Sequence, residues 1–126
     1  MFPHKFISLH QGEECLRRQS VDAIIASADH LRHTQAIETS LDLIDHFARQ
    51  YPHRSEDQLT VQLLGIRLFN GSAVAMKLLL SGYYQASALQ QRDLLETVFL
   101  LDYFTTSGAL IACWRNRHGR TLGGGL

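Results

Sequence analysis

The chain has 126 residues, 45% of them apolar, with twelve Lys and Arg against twelve Asp and Glu. That length supports one domain around a single hydrophobic core, not two. With no net charge there is no field to draw the chain toward nucleic acid, acidic lipid or an acidic substrate, so a nucleic-acid role would need a local patch.

Residues 1–9 lack the charged start, apolar stretch and cleavage site of a signal peptide, and Pro3, His4 and Lys5 would interrupt one. The chain reads as cytoplasmic. From Gly12 to Tyr51 the apolar positions Leu16, Val21, Ile24, Ile25, Ala28 and Leu31, then Ile37, Leu41, Ile44, Phe47 and Ala48, recur at three- and four-residue steps. This period predicts amphipathic helix, either one kinked helix or two with a break at Arg32–Thr34.

Tyr51-Pro52-His53-Arg54-Ser55 is the clearest turn, and Ser55 to Gln58 has capping-box spacing, so a helix is predicted from Glu56. Its apolar residues, including Leu59, Leu63, Ile66, Leu68, Phe69, Val74 and Leu78, cover more than one face, as in a helix packed on several sides. Asn70-Gly71 is a weak point inside it, and Ser81-Gly82 is the better break. A further helix is predicted from about Tyr84 to Phe104. Thr105 to Gly108 ends it, with Ser107 placed to cap a last helix through Trp114.

No strand-period alternation is sustained, so the predicted fold is all-α, an up-and-down bundle of four to five helices over residues 1–114. Residues 115–126 are basic and then glycine-rich, and read as a disordered tail. The last helix is so short that the bundle is either truncated at the C-terminus or completed by another molecule. A homodimer is expected, because the broad apolar surface of the second and third predicted helices is otherwise undercovered. A protein partner is the other candidate.

The apolar stretches are broken by Lys77, Glu96 and Asp102 before the roughly 20 residues that hydrocarbon thickness demands, so no membrane span is expected. Cys15 and Cys113 fit neither a disulfide framework nor a zinc spacing. They read as packing residues, with a crosslink between terminal helices as the alternative.

Charges among the leucines, Arg67, Lys77, Arg92, Glu96 and Asp102, must be paired, snorkelled or functional if these helices lie inside a bundle. Arg92 and Glu96 stand one turn apart and can pair. Asp93 faces another way, and Arg67 can approach from the preceding helix. The structural reading is a satisfied internal pair. The functional reading is a cleft in which Arg67, Arg92 and Glu96, with Tyr84 and Tyr103, bind an anionic ligand.

His30, His33, Asp42 and His46 form pairs spaced to share a helix face, which raises a metal site. The di-iron carboxylate pattern needs two Glu-x-x-His segments, and the chain has none; solvated polar residues are the plainer reading. No cofactor is implied. The serines occupy no nucleophile elbow, there is no phosphate-cradling glycine loop, and nothing identifies an enzyme.

Gly82 to Trp114, with its Arg92 to Glu96 pattern followed by an apolar helix end and a further helix, resembles uncharacterised bacterial all-helical proteins related to the HEPN class. The likeness covers about a third of the chain. It implies an up-and-down bundle, frequent homodimers and, in many members, a metal-independent ribonuclease of defence or toxin loci. That activity depends on an Arg, four to six residues, then a His. No arginine here has that spacing: Arg49 to His53 has three intervening residues, and Arg115 and Arg117 lie too close to His118. The reading that remains is a noncatalytic helical interaction protein, with the ribonuclease as alternative; RNA cleavage lost on replacing Arg92 or His53 would separate them.

Overall fold

A computed structural model describes the backbone of residues 1–122 and the side chains of residues 1–118. The fold is an all-α bundle of five helices, with no strand among the described residues. They are α1 (His4–Ile25), α2 (Ala28–Gln50), α3 (Glu56–Leu80), α4 (Tyr84–Phe104) and α5 (Ala109–Leu122).

The first helical region is two helices, and the break falls at Ala26–Ser27, not at Arg32–Thr34. Ser27 is the N-cap of α2, its hydroxyl accepting from the His30 amide at 3.4 Å. At the expected break the polar side chains turn back onto the helix. His33 Nδ1 lies 2.6 Å from the Asp29 carbonyl, and Thr34 Oγ1 donates to the His30 carbonyl at 2.9 Å. Such back-bonding lets the helix run through a polar stretch.

Ser55 caps α3 by accepting from the Gln58 amide at 3.2 Å, and Gln58 Oε1 accepts from the Arg54 amide at 2.6 Å, one residue before the usual capping-box donor. The far end of α3 is a Schellman turn. The Tyr83 amide donates to Leu78 and the Gly82 amide to Leu79, at 2.8 and 3.3 Å, with Gly82 at φ +91°.

α3 is the central element, touching all four others. It packs antiparallel to α4 at close quarters: a Cβ on Gly71 would lie 2.8 Å from Leu94 Cδ2 and 2.9 Å from Gln90 Nε2. Asn70-Gly71, expected as a weak point, is therefore where the two backbones approach. α2 runs antiparallel along the other side, with Ile44 against Gly65 and the Gln62 amide donating to the Tyr51 carbonyl.

α1 is fastened by one face of its second half. Glu13 accepts from the Tyr83 hydroxyl, Leu16 covers Gly82, Arg17 donates to Ser81 Oγ and Ser20 Oγ donates to the Leu80 carbonyl. Residues 13, 16, 17 and 20 share that face by helical spacing, and Phe6 and Leu9 continue it into solvent.

α5 does not stop at Trp114. It continues to Leu122, so part of the stretch expected as tail is helical. The Trp114 ring stacks on His118 at 5.0 Å and meets Phe104 edge-on, while Arg115 bonds Asp57 and Thr60 of α3 at 2.8 and 3.2 Å. A basic sequence without an apolar period hid this, because the anchor is an ion pair. Residues 123–126 lie outside the described residues.

The interior is small and largely polar. Among the described residues Leu64, Ala75 and Phe104 are the buried apolar side chains, beside Thr60, Gln62, Ser81, Ser87 and Thr97. Each of these buried polar groups has a partner, as burial requires. Thr60 and Thr97 donate to carbonyls one turn back, and Ser87, 1% exposed, donates to the Ala75 carbonyl at 2.8 Å.

Candidate functional site

α4 buries Ser87, Thr97 and Phe104, with Ser87 bonded to α3, and turns Leu89, Leu95, Val98, Phe99 and Tyr103 toward solvent. α3 does the same in part, burying Thr60, Gln62, Leu64, Gly71 and Ala75 while exposing Leu59, Leu63, Ile66 and Val74. Small polar residues permit close approach of two helices, and the large apolar residues are then left on the outside.

This polarity relocates the charges expected inside the bundle. Arg67, Lys77, Arg92, Glu96 and Asp102 are all exposed. Arg67 pairs at 2.6 Å with Asp93, the residue expected to face elsewhere, in an α3 to α4 bridge at the bundle surface. Arg92 and Glu96 do pair, at 3.4 Å, but with side chains 79% and 65% exposed. An exposed pair in one helix with Arg preceding Glu is the weaker order and contributes little.

Tyr84 and Tyr103 are also exposed, on the outward side of α4. The five residues expected to line one cleft are therefore spread over a helix face and its neighbour. Arg67 lines a groove of about 870 Å³ between α3 and α5, with Leu59, Leu63, Trp114, Arg115 and His118. Its guanidinium is engaged by Asp93, and that of Arg115 by Glu56 and Asp57, which lowers its attraction for an anion.

A second groove, of about 610 Å³, is formed where the turn between α2 and α3 meets α5, and includes Phe47, Tyr51, His53, Val61 and Ile111. His53 thus lies at the α2–α3 turn, while Arg92 is on the outer face of α4.

His30, His33, Asp42 and His46 are exposed along α2, and no group of three His, Cys, Asp or Glu side chains that could hold a metal ion occurs among the described residues. Helical spacing put the members of each pair on a common face but brought in no third ligand. Cys15 and Cys113 are free and exposed, not packed. The thin interior has no place for them.

An 18-residue window of α3 reaches a mean hydropathy of 1.5 with 17% of it buried, so this helix is long and apolar enough to cross a membrane by length and composition. Lys77 does not break it early enough to prevent that. Arg67, however, stands midway along it.

Sequence reasoning missed two features of the outer surface: the Arg67–Asp93 bridge, and the symmetry of the exposed face of α4. The second was available. Leu89 precedes Arg92 by three residues and Phe99 follows Glu96 by three, so the face reads alike from either end except that the central charges differ in sign.

Compared with protein-family models, curated proteins and solved structures, the chain has no significant match.

Proposed function

We propose that the chain is a noncatalytic helical interaction protein that works by association through the outer faces of α3 and α4. The observation that carries this reading is the set of large apolar side chains left exposed on those faces, Leu59, Leu63, Ile66 and Val74 of α3 and Leu89, Leu95, Val98, Phe99 and Tyr103 of α4. Large exposed apolar patches mark interaction sites, and here they coincide with helices whose buried sides are polar and small.

The test is molar mass by light scattering across a concentration range, with dye binding to exposed apolar surface measured on the same samples. The expected result is association, with dye binding falling as the assembly forms. A chain that stays monomeric, unfolds cooperatively and binds no dye would overturn the reading, since its faces would then need no cover.

A further inference from the structure

We propose that the outward face of α4 pairs with the same face of a second copy, antiparallel about a two-fold axis beside residue 94. This rests on the association reading and names its occupant. A two-fold contact must be self-complementary, each residue i meeting j while j meets i. On α4 that pairing sets Arg92 of each chain opposite Glu96 of the other and Leu89 opposite Phe99. Leu89 and Phe99 are 70% and 66% exposed, among the most exposed large side chains of the helix.

The charges fit this occupant. Arg92 and Glu96 make a weak pair within one helix, whereas two copies side by side form a square of alternating charge across the seam. The contact of α4 with α3 uses Ser87, Gln90, Asp93 and Leu94, which leaves Leu89 and Phe99 uncovered.

A stable pair needs about 800 Å² from each chain, and Leu89, Leu95, Val98, Phe99 and Tyr103, each 46–70% exposed, are the apolar side chains α4 offers toward it. Lipid is the poorer occupant: α4 carries Arg92, Asp93 and Glu96 near its middle and α3 carries Arg67 at its own, all where a bilayer would place its hydrocarbon centre.

Two charge reversals test the seam. Arg92→Glu sets carboxylates against each other, the new one of each copy facing Glu96 of the other, and Glu96→Arg sets guanidinium groups against each other in the same way. Each variant alone is expected to dimerise at least tenfold more weakly than the parent chain, by sedimentation at low salt. An equimolar mixture of the two is expected to form heterodimers that bind far more tightly than either variant does alone, because each carboxylate then faces a guanidinium across the seam. Both substitutions are at exposed positions, and unchanged helicity by circular dichroism confirms the fold of each.

If the parent dimerises and both variants match it, the α4 seam is overturned and the association reading stands. A parent that remains monomeric but binds dye, or that associates only with added phosphatidylcholine vesicles, overturns the second copy and leaves its faces to another occupant. A monomer that binds no dye overturns both.

Discussion

Gly82→Ala tests whether the turn between α3 and α4 is held at positive φ and close against Leu16 of α1. At φ +91° the backbone lies where a side chain is strained, at a cost of about 1–3 kcal/mol. The new Cβ would also sit 2.8 Å from Leu16 Cδ1. Leu16 is 41% exposed and can swing away, so the clash adds only the off-rotamer cost of about 0.5–1.5 kcal/mol. The total is about 1.5–4.5 kcal/mol, a large part of the roughly 5–15 kcal/mol that holds a domain together.

Urea unfolding at one fixed protein concentration reads this as a lower midpoint with an unchanged slope. Repeating the substitution in a Leu16→Ala background removes the clash and keeps the backbone strain, so the two changes should couple by about 0.5–1.5 kcal/mol. A loss below about 0.5 kcal/mol for Gly82→Ala alone would refute the reasoning, because the strain would then be relieved by a turn that moves freely.

Gly71→Ile should cost about 1–3 kcal/mol by overpacking the seam, since Cβ alone already meets Leu94 and Gln90; the same unfolding curves measure it. Arg115→Ala removes the 29%-exposed guanidinium that joins α5 to Asp57, Glu56 and Thr60. Hydrogen exchange should show α5 amides losing protection while the α3–α4 contact keeps its own. The Tyr83 hydroxyl, bonded to Glu13 at 2.6 Å, has its pKa raised by that hydrogen bond, with desolvation and the Glu13 charge adding. A raised phenol keeps its contribution at neutral pH and loses it as pH climbs through the folded-state value, above about 10. Ultraviolet titration should therefore show a late-ionising tyrosine, absent in a Tyr83→Phe variant and with most of its delay lost in Glu13→Ala, which removes both the acceptor and the charge.

The helices were legible where local chemistry settles them. Ser55 with Gln58, and Ser81-Gly82 with the aromatic pair, announced both ends of α3 because caps act within a few residues. The Ser27 break was hidden by an apolar period that runs across it, and the end of α5 by a sequence whose anchor, Arg115, pairs with residues nearly sixty positions earlier. For the site, spacing predicted the Arg92–Glu96 pair but not which side of α4 it occupies. An apolar helix is ordinarily buried by its leucines, and here Ser87 and Thr97 take that place. No rule of periodicity distinguishes the two cases when both sides carry apolar residues.

The seam of small and hydroxylated residues between α3 and α4 has a calorimetric consequence. Apolar surface dominates the heat capacity gained on unfolding, and polar surface subtracts from it. Gly71, Ala75 and Ser87 bring little apolar surface to this contact and Leu94 brings most of it, so the seam adds only modestly to that quantity. The stronger curvature belongs to whatever covers Leu89, Phe99 and Leu63, so warming and cooling would act chiefly on the assembled state while the helical hairpin beneath keeps its form.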